Sequence, residues 1–493
     1  MLWYGFIYYF IFLFLIFLFI VFFLRLFYVS FLNKINLFSY LIKISLSFFV
    51  FFAFISLTFL YYIFSHFENF TLISLNNQNI LLFDNVGYKF LFNVNNLSSN
   101  LIYVYYFPFI YIFILITILS ILFCLSYSYN EVLIFTFYCT LILVSGYILF
   151  FTDSLILFFL SYEMLLIPSF FILYRFAKTR RCVEAAYLMF FWTQFGALFL
   201  IFSFLYLFFI CQSSSFSVIS DFSFSNFEVN FLFTCWIIGF GVKLPIWPFY
   251  GWLPKAHVEA STNFSIFLSG VLVKFAFFGL LKCLITLQIE PTFYYIYPFL
   301  VIGITDAVFK LFYQIDLKKL VAYSTVVEMH WLTMCVISGQ SCLMLASFCM
   351  LISHALLSTN SFLLVDAINR RFKTRLITEI SGVNFLCPKL FLISLINCLI
   401  FLGFPGSIFF IAEFLFFSFF FDLFPILSLF LLVLLYLLGP TFFFRSWINA
   451  LFGLSTNIFR KIPLDLNSKE MVIYGGLHIL MFWLGFTWQM FIF

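Results

Sequence analysis

Long apolar runs follow one another along this chain, and each run is long enough to form a helix that crosses a bilayer. A transmembrane helix needs about 20 mostly apolar residues, and about fourteen such stretches can be counted. The pattern therefore predicts an all-α, polytopic membrane protein without a sizeable soluble domain. The predicted spans lie near residues 2–24, 43–65, 101–127, 132–152, 154–174, 185–211, 231–250, 262–286, 293–314, 319–338, 342–366, 389–413, 415–444 and 471–492.

Spans 7 and 12 are interrupted by helix-breaking residues. Span 7 carries Lys243 shortly before three closely spaced prolines, and span 12 carries Gly403, Pro405 and Gly406 ahead of Glu413. Proline removes a backbone donor and clashes with the preceding turn, so both helices should be broken or kinked. The two breaks stand five spans apart. An odd separation gives equivalent helices opposite orientations, which is the layout of inverted-repeat transporters.

These features divide the chain into four predicted parts. Residues 1–130 hold three N-terminal spans and an Asn- and Ser-rich loop on the outer side at 66–100. Two inverted repeats of five helices follow, helices 4–8 in residues 131–286 and helices 9–13 in residues 287–445. Residues 446–493 form a C-terminal loop and helix 14.

Composition and charge agree with a membrane location. Charged residues make up 9% of the chain, whereas soluble domains carry about 25%. The formal net charge is +5, but about twenty of the 24 Lys and Arg residues fall in or beside loops that lead from odd to even spans. This asymmetry follows the positive-inside rule and predicts that both termini lie on the outer side. We expect no nucleic-acid partner.

The sequence predicts no cofactor or metal bound by this chain. Its 11 cysteines are scattered without a CxxC pair, whereas iron–sulfur and zinc sites need clustered thiolates. No GxGxxG segment or phosphate-binding P-loop is present. The 87 phenylalanines, together with abundant Ile, Leu, Tyr and Asn, indicate AT-rich coding of the kind found in organellar genomes.

Glu163, Lys243 and Lys274 lie near the middle of predicted spans. A charge in the bilayer interior costs roughly 3 kcal/mol on insertion scales, so such residues favour an ion or proton pathway. Glu163 and Lys243 are about half-way along spans 5 and 7, and we predict that they pair. The alternative for Glu163 is a carboxyl group that only joins two helices by hydrogen bonds. Lys274 suits a proton relay because, unlike arginine, a buried lysine can release its proton.

Further titratable residues extend this series. His354 belongs to a polar strip on span 11, and histidine titrates near neutral pH, although a packed core histidine is the alternative. Glu328 and His330 differ by about 200° around the helix of span 10, so only one should face the polar axis. Glu413 is predicted to close the series at the end of span 12. Interfacial or packing roles are expected for the histidines near span ends, His66 and His478.

Residues 242–279 read VKLPIWPFYGWLPKAHVEASTNFSIFLSGVLVKFAFFG. This segment resembles the signature of the chain 4 family of mitochondrial NADH:ubiquinone oxidoreductase (complex I), which runs VKxP, WLPxAHxEAP and LAGxLLKxGxYG. The resemblance covers roughly residues 155 to 420. It continues through SYEMLLIP at 161–168, DLKKLVAYST at 316–325, SHALLS at 353–358 and GFPGSIFFIAEF at 403–414.

The resemblance implies roles for individual residues. Glu163 and Lys243 match the family's Glu–Lys pair, Lys274 its central lysine, His354 a relay histidine and Glu413 its terminal glutamate, where the sister chains 2 and 5 carry lysine. It also implies fourteen helices in two inverted five-helix bundles.

Three departures from the family pattern are visible. Glu328 and Tyr250 stand where the family usually has histidines, and Ser261 stands where it has proline. The relay in span 10 could therefore run through an acid.

The resemblance also implies a function, a core subunit of complex I that translocates protons as electrons pass from NADH to ubiquinone. NADH, FMN, iron–sulfur clusters and ubiquinone are then expected elsewhere in the complex. The implied partners are other membrane-arm subunits, especially the antiporter-like chains 2 and 5, and lipids such as cardiolipin. The implied location is the mitochondrial inner membrane, with both termini on the intermembrane-space side. A cation/proton antiporter subunit and a scaffold subunit, whose charges only hold helices together, are the alternatives.

Overall fold

The computed structural model describes residues 109–110, 112–121, 129–177, 179–286, 294–452 and 465–487. Predicted spans 1 and 2, His66 and the predicted loop at 66–100 lie outside the described residues. Residues 129–133 belong to one compact unit of the chain, and the other described residues belong to a second unit. The first unit is described only at residues 129–133, within a helix. The second unit contains the seven candidate site residues.

Within the described ranges the chain is almost entirely helical, and no β-strand is formed. The α-helices are α1 (Ile112–Ile121), α2 (Tyr129–Phe151), α3 (Leu155–Met164), α4 (Leu166–Arg175), α5 (Arg180–Cys211), α6 (Phe216–Ser220), α7 (Asn226–Lys243), α8 (Trp252–Glu259), α9 (Thr262–Phe267), α10 (Val273–Thr286), α11 (Tyr297–Phe312), α12 (Leu317–Ile337), α13 (Ser341–Phe372), α14 (Val383–Leu386), α15 (Pro388–Phe401), α16 (Ile408–Leu423), α17 (Pro425–Leu431), α18 (Gly439–Leu451) and α19 (Ser468–Phe486). Two π-helices, Leu268–Leu272 and Leu432–Leu438, join α9 to α10 and α17 to α18.

Seven helical segments in the described ranges are long and apolar enough to cross a membrane, judged by length and composition. Some are built from consecutive helices, such as Leu155–Arg175 from α3 and α4. Shorter apolar helices, including α1 and α15, accompany them. The prediction of a helical, polytopic membrane protein is confirmed.

The spans divide into an inner and an outer group. The segment Thr262–Ile285 is fully buried and Leu317–Ile337 is 94% buried, whereas Arg180–Cys211 is only 33% buried. The outer helix α5 exposes large apolar side chains such as Phe191 and Phe209. Such a surface is typical of a helix that faces lipid or another subunit. Lys274 and Glu328 are therefore carried by the two most deeply enclosed spans.

The predicted interruption of span 7 is present. Helix α7 ends at Lys243, a short 3₁₀ turn spans Phe249–Gly251, and α8 begins at Trp252. Prolines at 245 and 248 lack the N–H groups that a continuous helix would use. The freed backbone groups need other partners, because lipid offers none.

The predicted interruption of span 12 is also present, but the C-terminal end of this span was predicted wrongly. Helix α15 ends at Phe401, α16 begins at Ile408, and Gly403 and Gly406 adopt the positive φ values of 73° and 89° that favour glycine. The broken span continues to Leu423, well beyond the predicted end at 413.

The error arises because apolar residues run unbroken from one span into the next, so hydropathy cannot locate the border. Pro425 marks it, as the first residue of α17. Glu413 accordingly lies inside α16 and not at the end of a span. Helix α18, the last part of the next span, extends from Gly439 to Leu451.

Candidate functional site

The first group of buried charges joins α3 to α7. Nζ of Lys243 lies 3.9 Å from Oε1 of Glu163, and their side chains are 2% and 20% exposed. Nζ also donates a 2.9 Å hydrogen bond to the carbonyl oxygen of Tyr162. Lys243 is the last residue of α7, and a cation is favoured at the partially negative C-terminal end of a helix. The break after Lys243 thus creates a favourable place for its ammonium group, beside the predicted partner.

Neutral groups complete this site. Nζ of Lys243 is 3.4 Å from the centroid of the Tyr162 ring, within range of a cation–π interaction. Nε2 of Gln194, from α5, donates a 2.9 Å hydrogen bond to Oε2 of Glu163. The carboxylate therefore contacts one uncharged amide and one ammonium group, and Lys243 is its charged neighbour.

The second group lies around Lys274 at the start of α10, directly after the π-helix Leu268–Leu272. Nζ of Lys274 is 2.5 Å from Nδ1 of His354 on α13 and also donates to the carbonyl oxygen of Ser269. Both side chains are buried. π-Helical turns disturb the regular hydrogen-bond pattern and often occur at functional sites. Here the turn supplies a carbonyl oxygen to the ammonium group.

Glu328 extends this second group. Its Oε2 lies 3.6 Å from Nε2 of His354, so the imidazole stands between Lys274 and the carboxyl group. Of the two span 10 candidates, Glu328 therefore faces the titratable residues. His330 points elsewhere, and its Nε2 accepts a 2.7 Å hydrogen bond from the backbone N–H of Trp247.

A cavity connects Glu328 with Glu413. Both residues line it, together with Ser324, Trp331 and several apolar residues, and the volume open to water is about 30 Å³. A buried water needs about 10–15 Å³ by this measure, so about two waters fit. A Cβ atom on Gly403 would lie 2.5 Å from Oε2 of Glu413. The glycine in the second helix break therefore makes room for the carboxyl group of Glu413.

The structure thus brings the candidates together in three places, the Glu163–Lys243 pair, the Lys274–His354–Glu328 series and the cavity with Glu413. Among the described residues, no hydrogen bond or ion pair links Lys243 to Lys274.

Sequence reasoning missed His257 on α8. It is fully buried, its ring stacks on Phe362 with centroids 4.9 Å apart, and neither ring nitrogen has a hydrogen-bond partner among the described residues. It lies within electrostatic range of Lys274 and Lys318. The sequence did contain a feature that could have indicated His257, because this residue occupies the histidine position of the WLPxAHxEAP pattern.

The expectation that His478 lies near a span end was wrong. It lies well inside α19 and is buried. Its Nε2 is 2.7 Å from Nδ2 of Asn360 and 3.4 Å from Oδ1 of Asn397. The polar partners come from α13 and α15, which are distant in sequence, so no local pattern could reveal them.

No three His, Cys, Asp or Glu side chains within the described ranges are grouped so that they could hold a metal ion.

The chain is similar to known proteins over the segment that carries these residues. A family model described as NADH:quinone oxidoreductase/Mrp antiporter, TM, matches residues 152–439, a range that contains the seven candidate residues. The chain belongs to this family.

Within the NADH:quinone oxidoreductase/Mrp antiporter family, the chain is 35% identical over 334 residues to NADH-ubiquinone oxidoreductase chain 4 of Paramecium tetraurelia, covering 67% of this chain and 70% of that protein. A chain of respiratory complex I from Thermus thermophilus with bound NADH has a TM-score of 0.66 at 20% identity, over 76% of this chain and 80% of that chain. A chain of the Mrp complex from Dietzia sp. DQ12-45-1b has a TM-score of 0.69 at 15% identity, over 78% and 81%. At these identities the likeness shows a shared fold.

Proposed function

We propose that this chain is a membrane-arm subunit of complex I that translocates protons as electrons pass from NADH to ubiquinone. The observation that carries the proposal is the buried series Lys274–His354–Glu328, in which neighbouring titratable atoms lie 2.5 Å and 3.6 Å apart. Titratable groups at such depth are rare unless they serve an ion or proton pathway. Similarity to proteins named NADH-ubiquinone oxidoreductase chain 4 supports the choice of complex I.

Proton transfer through the series follows from the chemistry of imidazole. When Nδ1 of His354 accepts a proton from Nζ of Lys274, the ring becomes cationic and can release the proton on Nε2. Glu328 stands beside Nε2 and can accept it. The cavity has room for waters that would carry the proton on toward Glu413.

Coupling is proposed to begin at Glu163. Electron transfer elsewhere in the complex changes the charge around its carboxylate, and Lys243 responds because that carboxylate is its charged neighbour. Withdrawal of the anion favours release of the Lys243 proton toward Lys274. The proton then leaves by way of Glu413 to the outer side.

We further propose the finer assignments that the sequence pattern and the resemblance imply. The chain has fourteen transmembrane helices, with inverted repeats in residues 131–286 and 287–445, and lies in the mitochondrial inner membrane with both termini on the intermembrane-space side. It belongs to an H⁺-translocating NADH:ubiquinone reductase whose NADH, FMN, iron–sulfur clusters and ubiquinone are held by other subunits. Its neighbours are the antiporter-like chains 2 and 5, with cardiolipin at the lipid-facing surface.

Purification of the native assembly, followed by measurement of proton translocation, tests the proposal. The chain should copurify with an NADH-oxidising, quinone-reducing complex, and Lys274→Ala should lower the number of protons moved per electron. Normal stoichiometry in an assembled Lys274→Ala complex would refute the relay.

The structural likeness to the Mrp chain favours one second candidate, a cation/proton antiporter subunit. An antiporter exchanges sodium for protons without an electron donor, so sodium exchange in vesicles that lack NADH would support it. A scaffold subunit, in contrast, would assemble and pump normally when its buried charges are neutralised.

A further inference from the structure

His330 is buried on α12 but lies apart from the proton-transfer residues. Its Nε2 is 2.7 Å from the backbone nitrogen of Trp247, and its Nδ1 is 2.8 Å from the carbonyl oxygen of Val326, one helical turn earlier. Trp247 belongs to the connection that interrupts span 7, four residues after Lys243. His330 therefore links α12 to the broken segment beside Lys243.

We infer that His330 is a positioning residue, a neutral hydrogen-bond acceptor that holds the interruption of span 7 against α12 and is not itself a proton carrier. The inference rests on the proposed function for the process that it affects. It also separates the roles of His330 and Glu328, which lie on one helix and face different partners.

The two partners of the imidazole fix its protonation. The N–H of Trp247 can only donate, so Nε2 must offer a lone pair, and the carbonyl of Val326 can only accept, so Nδ1 must carry the hydrogen. Both contacts are satisfied only by the neutral ring with its hydrogen on Nδ1. A second proton on Nε2 would set two donors against each other. A relay histidine must change protonation, and this one cannot do so without releasing Trp247.

The break explains why such an acceptor is needed. In the connection after α7, the N–H groups of Leu244, Ile246 and Phe249 donate to backbone carbonyls, and the prolines at 245 and 248 have no N–H group. The N–H of Trp247 donates to the imidazole of His330 instead. An unsatisfied N–H group inside a membrane is strongly unfavourable, so the acceptor stabilises this particular path of the backbone.

Helix α11 makes room for the contact. A Cβ atom on Gly303 would overlap Nε2 of His330 and would lie 2.8 Å from Cβ of Trp247. On the other side, the Tyr250 ring meets the imidazole edge-on with centroids 6.1 Å apart. The imidazole is thus enclosed between α11 and the connection. Any side chain at position 303 should push it away from Trp247.

Three variants distinguish a positioning role from a relay role. His330→Gln keeps an acceptor, because its side-chain oxygen can reach the place of Nε2, but glutamine cannot carry a proton. His330→Leu removes the acceptor, and Gly303→Ala displaces the ring without touching a titratable group. Each variant is introduced into the complete complex and studied in sealed native membranes.

Two measurements are made on each variant, hydrogen exchange of the backbone amides in residues 244–251 and protons moved per electron. We expect the Trp247 amide to exchange roughly tenfold faster or more in His330→Leu and Gly303→Ala, since a hydrogen bond to a buried donor is lost. His330→Gln should keep both slow exchange and a normal proton ratio, while the other two variants lose both.

The inference is overturned if His330→Gln exchanges slowly yet pumps as poorly as His330→Leu, because the imidazole would then be needed as a proton carrier. Unchanged exchange in His330→Leu would overturn it as well. If a variant fails to assemble, His330→Gln alone decides, since normal pumping supports positioning and lost pumping contradicts it. Failure of the proposed function is recognised separately, by normal pumping in Lys274→Ala.

Discussion

Replacing Glu163 by glutamine removes one charge from the pair with Lys243 and changes little else. Glutamine has nearly the same shape, and its side-chain oxygen can still accept the hydrogen bond that Gln194 donates to Oε2 of Glu163. The ammonium group of Lys243 keeps its contact with the Tyr162 carbonyl. The variant therefore isolates the electrostatic effect of the carboxylate on Lys243.

The magnitude follows from the separation of 3.9 Å. Glu163 is partly exposed, so an effective dielectric constant of about 20 is appropriate, and Coulomb's law then gives about 4 kcal/mol. An energy of this size changes an equilibrium constant by roughly three orders of magnitude. It also exceeds the roughly 2.3 kcal/mol needed to move one charge against 100 mV. The pair is thus strong enough to control whether Lys243 holds its proton against the membrane potential.

The assay compares NADH-driven quinone reduction with acidification in sealed vesicles. In Glu163→Gln we expect the protons moved per electron to fall, because Lys243 no longer has the charged partner that controls its proton. Glu184→Gln is the matched control. Its ion pair with Arg180 is short, at 3.3 Å, but both side chains are mostly exposed, and such pairs contribute roughly 0–1 kcal/mol. An assembled Glu163→Gln complex with an unchanged proton ratio would show that the electrostatic reasoning is wrong.

Three further variants test other parts of the site. Lys274→Arg should abolish translocation through this chain, since arginine remains protonated, and normal acidification of vesicles would contradict the relay. Gly403→Ala should disturb Glu413 and lower pumping, because Gly403 has a φ of 73° and the new Cβ would meet the carboxyl oxygen of Glu413. The control Gly251→Ala should pump normally, since Gly251 has open space around it. Arg371→Met should destabilise the complex by about 2–3 kcal/mol, seen as a lower melting temperature, because it leaves a mostly buried carboxylate of α19 with one cation fewer.

Within the described ranges, local features of the sequence were enough to predict a helical membrane protein and the interruptions of spans 7 and 12. Apolar runs of sufficient length specify transmembrane helices wherever they occur, and the three prolines after Lys243 specify a break without reference to any other part of the chain. The position of Glu163, Lys243 and Lys274 near the middle of their spans is a prediction of the same kind, because it depends only on the apolar residues on either side. The pairing of Glu163 with Lys243 could also be anticipated, because two opposite charges at one depth attract.

Lateral neighbours could not be derived in the same way. Lys274 and His354 are separated by 80 residues, and which faces of two helices meet depends on packing that periodicity alone leaves open. The helical period shows that Glu328 and His330 face different directions, but not which of them faces His354. Glu413 was misplaced within its span because apolar side chains continue across the border to the next helix. His478 was misjudged because its partners lie on other helices.

In this chain the buried lysines donate hydrogen bonds to backbone carbonyls at irregular parts of the helices. Lys243 donates to the carbonyl of Tyr162, which lies in the last turn of α3 before that helix gives way to α4, and Lys274 donates to the carbonyl of Ser269, inside a π-helix. Both carbonyls thus accept from an ammonium group at a place where the regular α-helical geometry is interrupted. In turn, irregular backbone inside a membrane persists only where a polar group satisfies it. The positions of the buried lysines and of the helix irregularities are therefore one feature of the fold, and a change that regularises either helix should displace the lysine that depends on it.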